Sequence, residues 1–339
     1  MSASRPVRGR LAPSPTGFLH LGNAWAFLLA WLACRSKGGS LVLRMEDIDP
    51  DRSRAEYADA IIRDLRWLGL DWDEGPDAGG PAGPYVQSAR MGLYADALNR
   101  LGRAGHIYPC YCTRKELRTL AGAPHVGDAG AAYPGTCRNL PPERRAELEA
   151  AGFGVIHDTT VHDYPSYNGG CTSQNYAFED AVFGPFSMTL EACGGDFALR
   201  RSDGVIAYQL AVVVDDGLMG ITQVVRGEDL LVSTPRQLAL FDLLGYPRPA
   251  YMHLPLLCDP EGERLAKRHA SLTLASLRDA GVSPAAVAGY LGWKAGLIGA
   301  LAPAHPRNLL PAFDPGRLRF LPERVLIEAD LTASLSVVC

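Results

Sequence analysis

The sequence lacks several features that would assign it to a class at once. It has no basic excess: 33 Lys and Arg stand against 37 Asp and Glu, a formal net charge of −4 at pH 7. The field of the whole chain gives no sign of nucleic-acid binding, so an RNA partner would have to be met by local basic patches. The opening stretch "MSASRPVRGR" lacks the apolar segment of a signal peptide. No apolar run nears the roughly 18 residues of a membrane span, and the longest, at 24–33, reads as a buried helix. Eight cysteines in 339 residues are too few for a disulfide scaffold. Without an export signal they are expected as reduced thiols in a cytoplasmic protein. Cys34, Cys171, Cys193, Cys258 and Cys339 are scattered and read as small buried apolar residues. There is no internal repeat and no low-complexity tract.

What is present is ordinary globular material, 47% hydrophobic and 21% charged, in a chain long enough for two or three domains. Residues 10–12 read as a short strand and 19–35 as a helix apolar on most faces. "SLVLRMEDID" (40–49) is an apolar strand running into acids. "SRAEYADAIIRDLRWLGL" (53–70) has helical spacing, with Ser53 as N-cap and Gly69 near its end. A Gly/Pro loop at 73–84 precedes a second amphipathic helix at 86–105. Strand–helix–strand–helix order predicts a parallel sheet with crossover helices. Residues 106–200, with short strand-like pieces and many turn residues, read as an inserted α+β module. The α/β pattern returns at 204–231, where "LAVVVDD" reads as a fully buried strand ending in acids. A helix at 234–245 and a strand at 251–259 follow, and 275–339 reads as helical and Pro-interrupted.

The stretch "RLAPSPTGFLHLGNAWAF" (10–27) breaks a strand into a Pro/Gly loop that ends at a helix N-terminus. Backbone N–H groups and the helix dipole make such a place an anion site, with His20 as an added donor. The tetrapeptide 20–23 alone reads more readily as a plain turn with an incidental histidine. Taken together, "RLAPSPTGFLHLGNA" resembles the first signature of class I aminoacyl-tRNA synthetases, and its "R-x-A-P-S-P-T-G" approach resembles the glutamyl and glutaminyl branch. "RLAKR" (264–268) stands where that family has its Lys-Met-Ser-Lys-Ser loop. "LRMEDIDPDRS" (43–53), "GPYVQSAR" (83–90) and "VVRGEDLLVSTPRQ" (224–237) resemble glutamyl-tRNA synthetase segments in the same order. The resemblance covers roughly residues 8–275 and implies a Rossmann-type class I catalytic core.

It also implies adenylation, in which a carboxylate attacks the α-phosphate of ATP, pyrophosphate leaves, and the acyl group passes to a hydroxyl. Positioning and charge stabilisation carry such a step without a protein nucleophile. By resemblance, His20, Gly22 and Asn23 hold ATP phosphates and Lys267 neutralises the departing pyrophosphate, with Mg2+ on the nucleotide. L-Glutamate, with two carboxylates and one ammonium, calls for two cationic clamps and one acid. Arg10 and Arg226 can supply bidentate contacts, Glu46 can hold the ammonium, and Tyr208 can close the pocket. By resemblance, Leu11, Ala12, Pro13 and Ser14 beside them also bind the glutamate. Alone, Arg10 or Glu46 would read as half of a surface ion pair. Asp47 and Asp49 read as helix-capping or structural acids.

"CYC" (110–112) precedes "YPGTC" (133–137). Three thiols leave a zinc site one ligand short, and tyrosine is an unusual fourth. The same Cys-x-Cys, Tyr-x3-Cys pattern resembles a short glutamyl-synthetase-like family, the glutamyl-queuosine tRNA(Asp) synthetases. That resemblance implies one structural Zn2+ held by Cys110, Cys112, Tyr133 and Cys137. Complete glutamyl-tRNA synthetases carry an anticodon-binding region of a further ~100–200 residues, whereas only about 65 residues follow position 275 here. The short family activates glutamate without tRNA and esterifies the cyclopentene-diol of queuosine at the wobble position of tRNA-Asp. The anticodon stem-loop is then the expected partner, with no anticodon-binding domain, and the chain is expected to be a monomer. The alternatives are a truncated glutamyl-tRNA synthetase charging the tRNA 3′ end and a silent paralogue that binds without catalysis. The expected division is 1–105 and 201–260 as halves of the core, 106–200 as the inserted module, and 261–339 as the Lys-loop and helical C-terminal region. Ala266 and Gln209 depart from the family's serine and asparagine, and 153–180 fits it poorly.

Overall fold

The structure is a computed structural model that describes residues 5–112, 135–150, 174–201, 203–265, 272–328, 331 and 335. Its first unit is β1 (Arg8–Leu11), α1 (Leu21–Arg35) and β2 (Ser40–Leu43), with β1 and β2 parallel in the register Arg8↔Ser40 to Leu11↔Leu43. Parallel strands need a crossover, and α1 supplies it. Leu28, Leu29, Leu32 and Trp31 on this helix are buried against the sheet and the C-terminal helices, so it is apolar nearly all round. The return into β2 passes through Gly39, where a Cβ would lie 2.7 Å from the Val7 carbonyl oxygen and 2.8 Å from Cys34 Sγ. Only glycine lets the chain pass there.

Helix α2 (Ala55–Trp67) starts one residue later than its sequence signal. Ser53 does not cap it: Arg54 occupies the N-cap with no side-chain cap bond, and the buried Ser53 hydroxyl has no hydrogen-bond partner among the described residues. The Arg54 N–H is instead taken by the Pro15 carbonyl, a tertiary contact that overrides the local cap. Gly69 does follow the helix end, at φ +88°. A 3-10 turn at Gln87–Arg90 leads into α3 (Met91–Arg103), and α4 (Pro142–Ala150) follows. The hairpin β3 (Asn175–Asp180) and β4 (Gly184–Thr189) is antiparallel.

"LAVVVDD" is not a strand. It lies within α5 (Tyr208–Leu218), with Leu210 to Asp216 buried. A run of four or five apolar residues cannot separate a buried strand from a buried helix by period. The two aspartates carry the deciding physics. In a strand they would face opposite sides, whereas in a helix both reach one buried guanidinium, Arg44, at 3.6 Å (Asp215) and 2.7 Å (Asp216).

The chain continues through β5 (Gln223–Gly227), α6 (Thr234–Leu243) and β6 (Ala250–Leu254), with β5 and β6 parallel. The Thr222 N–H donates to the Arg8 carbonyl at 2.9 Å, setting β5 beside β1, while Asp180 of β3 pairs with Tyr251 of β6. The strands thus lie in the order β2–β1–β5–β6–β3–β4. Pro255 splits the strand expected at 251–259 into β6 and β7 (Leu256–Cys258). Three C-terminal helices each start at a side-chain cap: α7 (Leu274–Asp279) at Thr273, α8 (Pro284–Lys294) at Ser283, and α9 (Pro306–Leu309) at His305. After α10 (Pro315–Leu318), the expected all-helical end instead contains β8 (Arg324–Leu326), parallel to β7. Of the scattered cysteines, Cys34, Cys193 and Cys258 are buried, while Cys171 and Cys339 lie outside the described residues.

Candidate active site and cysteine cluster

A cleft of about 440 Å³ opens at the carboxyl ends of β1, β5 and β6, beside the N-terminus of α1. Open parallel sheets hold their ligands at such a place. Arg10 comes from the end of β1, and Ala12, Pro13 and Ser14 come from the loop after it. His20, Gly22 and Asn23 line the far side, Tyr208 begins α5, and Arg226 ends β5. Glu46 enters because the chain beyond β2 keeps pairing: Arg44 N–H donates to the Leu11 carbonyl at 2.8 Å and Glu46 N–H to the Pro13 carbonyl at 2.8 Å. Leu11 itself is core and does not line the cleft.

Beneath the cleft lies a buried network of charges. Arg44, fully buried, reaches Glu46 Oε1 at 2.9 Å and Asp216 Oδ1 at 2.7 Å. Arg10 Nε stands 3.5 Å from Asp216 Oδ2, and its Nη1 donates to the Val225 carbonyl. Asp215 accepts from Arg90 Nε at 2.6 Å, from Gln87 Nε2 at 2.8 Å and from the Tyr94 hydroxyl. Three guanidiniums, Arg10, Arg44 and Arg90, therefore balance three carboxylates, Glu46, Asp215 and Asp216. Burial pushes the Glu46 carboxyl up, opposed by the charge and hydrogen bonds of Arg44. Burial also raises the Tyr208 phenol against the pull of Arg226, which keeps it a protonated donor.

Arg226 is held differently. Its Nε donates to His253 Nε2 at 3.0 Å, Nη1 to Gln237 Oε1 at 2.7 Å, and Nη2 to Thr234 Oγ1 at 2.8 Å. The guanidinium also lies 5.2 Å from the centre of the Tyr251 ring. Among the described residues no carboxylate stands within 4.0 Å of it, so its charge is left for the cleft.

At the helix end, His20 is the N-cap of α1, and its N–H donates to Asn23 Oδ1 at 3.0 Å. Asn23 thus secures the turn from within. Gly22 leaves room for the histidine: a Cβ there would meet the His20 ring at 3.1 Å. Lys267 lies outside the described residues, but both flanks of its loop are fixed to this wall. Arg264 pairs with Asp229 at 2.5 Å and Leu265 is buried in the cleft lining. On the other side, Thr273 bridges to His20, and Leu274 N–H donates to the Leu19 carbonyl. Asp47 and Asp49 are structural acids, accepting from Ser88 N–H and pairing with Arg201 respectively.

Away from the cleft, Cys110, Cys112 and Cys137 are buried, with their sulfurs all within 4.8 Å of one another. The Cys112 and Cys137 sulfurs are 3.7 Å apart. That is far beyond the disulfide length of about 2.05 Å. It matches the ~3.8 Å between thiolates that share a tetrahedral ion through 2.3 Å bonds. The Tyr111 N–H points at Cys137 Sγ. Three sulfurs in one buried cluster fit a closed structural metal site with one ligand still to come. Tyr133 lies outside the described residues.

Sequence reading brought together Arg10, Ala12, Pro13, Ser14, His20, Gly22, Asn23, Glu46, Tyr208 and Arg226, all of which line this one cleft. It missed Arg44, Asp215, Asp216, Asp180 and His253. The signal for the first three was an arginine inside an apolar strand and two acids closing an apolar run.

The family profile of the tRNA synthetases class I (E and Q), catalytic domain, matches residues 6–297. The chain belongs to the class I tRNA synthetases of the E and Q group. Within this group it is 62% identical over 302 residues to a glutamyl-Q tRNA(Asp) synthetase of Nitratidesulfovibrio vulgaris, covering 89% of this chain and 90% of that one. A glutamate–tRNA ligase of Sulfurihydrogenibium sp. is 40% identical over 289 residues, 84% of this chain and 58% of that one. A crystal structure of a glutamate tRNA ligase from Elizabethkingia meningosepticum, in complex with its amino acid, superposes with a TM-score of 0.79 at 27% identity, covering 98% of this chain and 69% of that one. A class I synthetase is an ATP-using ligase with a mixed α/β core, and the sheet and cleft described above are that core. Among the described residues of this synthetase, no helix is long and apolar enough to cross a membrane.

Proposed function

We propose that the protein activates L-glutamate with ATP to glutamyl-adenylate without tRNA, and then transfers the glutamate to the queuosine base at the wobble position of tRNA-Asp. Charge at the cleft carries this reading. The buried network beneath pairs three arginines with three carboxylates, while Arg226 presents to the cleft a guanidinium that no carboxylate among the described residues contacts. L-Glutamate, with two carboxylates and one ammonium, carries one net negative charge. Glutamine would leave that guanidinium facing an uncharged amide, which a polar site rejects strongly.

Arg10 and Arg226 hold the carboxylates of glutamate, Glu46 holds its ammonium, and the Tyr208 hydroxyl closes the pocket. The backbone of Ala12, Pro13 and Ser14 forms the near wall. The N-terminus of α1 with His20, Gly22 and Asn23 receives the ATP phosphates. Lys267 meets the charge growing on pyrophosphate, and Mg2+ travels with the nucleotide. No side chain has to form a covalent intermediate, because the glutamate carboxylate is itself the nucleophile. Zinc, held by Cys110, Cys112, Cys137 and Tyr133, would brace the inserted module. The division at 1–105, 106–200, 201–260 and 261–339 belongs to this proposal, as do a monomeric state and a cytoplasmic location.

The higher identity to the glutamyl-Q relative than to the glutamate–tRNA ligase supports the queuosine base over the tRNA 3′ end. The test is glutamate-dependent ATP–pyrophosphate exchange with no tRNA present. Exchange is expected with glutamate and not with glutamine. Exchange that starts only on tRNA addition would contradict the proposal.

A further inference from the structure

Arg226 raises a physical question. A guanidinium buried to this degree (6% exposed) ordinarily has a carboxylate beside it. Here Asp180 stands behind it, one imidazole away. His253, fully buried on β6, stands between them in the register Arg226↔His253. Its Nδ1 lies 2.7 Å from Asp180 Oδ2, and its Nε2 accepts from Arg226 Nε at 3.0 Å. A nitrogen that accepts carries no proton, so the proton is on Nδ1 and goes to Asp180.

Asp180 is itself built to accept. Its Oδ1 takes the N–H groups of Val182 and Phe183 at 2.9 and 3.0 Å, and its Oδ2 takes the His253 backbone N–H at 3.0 Å as well as the ring. Burial works to raise this carboxyl, but the His253 bond and the two loop N–H groups outweigh it and hold the carboxyl below its ordinary value. Burial and the adjacent Arg226 charge together push the His253 imidazolium down to about 4, against the opposing bond to Asp180. The charges facing the ring are Asp180, Arg226 and Asp229. The ring is neutral at physiological pH.

We propose that Asp180 and His253 are positioning residues: Asp180 fixes the Nδ1–H tautomer of a neutral His253, whose Nε2 then aims Arg226 into the cleft without neutralising it. This rests on the reading of Arg226 as a clamp for a glutamate carboxylate. A carboxylate in the place of His253 would orient the arginine equally well but would compete with the substrate for its charge. Thr234, Gln237 and the Leu230 carbonyl follow the same rule, each a neutral acceptor on the same guanidinium.

The test compares two amides in place of one imidazole, assayed by ATP–pyrophosphate exchange. Asparagine reaches the position of Nδ1, so His253→Asn keeps the bond to Asp180 and leaves Arg226 Nε without its acceptor. Glutamine reaches the position of Nε2, so His253→Gln keeps the acceptor for Arg226. The Michaelis constant for glutamate is expected to rise about tenfold or more in His253→Asn, the scale of one lost bond to a charged group, and to stay within about threefold in His253→Gln. The Michaelis constant for ATP is expected to stay within about twofold in both. A packing role alone would move both constants with thermal stability. A folded His253→Asn protein with an unchanged glutamate constant would overturn the inference. Wild-type protein labelled with 15N-histidine provides a readout free of any variant: its NMR spectrum is expected to have His253 protonated on Nδ1 and bare on Nε2. The opposite tautomer would overturn the inference even if every variant failed to fold. Wild-type protein with no glutamate-dependent exchange at all would instead refute the functional reading on which it rests.

Discussion

The floor of the cleft and the cysteine cluster are both built from buried polar side chains, and they are held in opposite ways. Each charge under the cleft is tied to several distant parts of the chain. Asp215 alone gathers Gln87, Arg90, Tyr94 and Arg44 from three separate elements. The cysteines form a small apolar cluster of their own with Tyr108 and Tyr111. Asp196 ties it outward, accepting from the Tyr108 hydroxyl at 2.6 Å and from Arg138. One region is set by segments distant in the chain, so its failure is global. The other is a small cluster tied outward through Asp196, and is of the kind that a metal completes.

The largest effect is therefore expected in the floor. Asp215→Ala removes one partner from each of two buried arginines and leaves charge unpaired, at a cost of about 3–5 kcal/mol. Denaturant unfolding checks this, and a loss under about 1 kcal/mol would mean the network is not the foundation described. Next comes Lys267, whose described flanks on either side are fixed to the cleft wall. Lys267→Ala is expected to cut turnover in pyrophosphate exchange by roughly two to three orders of magnitude, because the contact proposed for its charge grows only as pyrophosphate departs. The Michaelis constant for glutamate is expected to change little. Near-normal exchange in Lys267→Ala with loss in Arg268→Ala would shift the loop register by one residue.

A third and smaller effect depends on pH. Folded His253 resists protonation down to about 4, while the unfolded chain takes a proton near 6.5. The unfolded state binds more protons in that window, so stability falls as pH drops through it. Between pH 7.5 and 5, wild type is expected to lose about 2 kcal/mol more than His253→Gln. Denaturant unfolding of both at the two values measures the difference, in which the opposing contribution of a raised Glu46 cancels. An equal loss in both would mean that the native ring takes its proton as readily as the unfolded chain does. Smallest for catalysis is Cys137→Ser. Metal analysis is expected to find the proposed zinc at one per chain in wild type and to lose it in Cys137→Ser, with the glutamate constant within about twofold of wild type. A catalytic defect larger than the loss of stability would join the two regions that the structure keeps apart.

Residues that carry their own local signal were legible in the sequence. Arg10, His20, Glu46 and Arg226 sit in short runs whose order and chemistry point to one cleft, and the crossover helix between β1 and β2 follows from apolar period and loop residues. The elements misread were those decided by tertiary contacts. The buried apolar run read as a strand is α5, which brings two acids to Arg44, a contact that no local period shows. The cap expected at Ser53 gave way to a bond between Arg54 and Pro15. The strand β8 is only Arg324–Leu326 long and exists through its pairing with β7. Asp180 and His253 stand 73 residues apart in the chain, and only the register of β3 and β6 makes them neighbours.

The most direct test of the function assigned to this cleft is where the glutamate ends up. Radiolabelled glutamate, ATP and enzyme are incubated with queuosine-containing tRNA-Asp or with the same tRNA lacking queuosine, and the RNA is digested into anticodon and 3′-terminal fragments. The account predicts label on the queuosine-containing tRNA only, recovered in the anticodon fragment. Label on the 3′-terminal adenosine, or equal labelling of the tRNA that lacks queuosine, would contradict it.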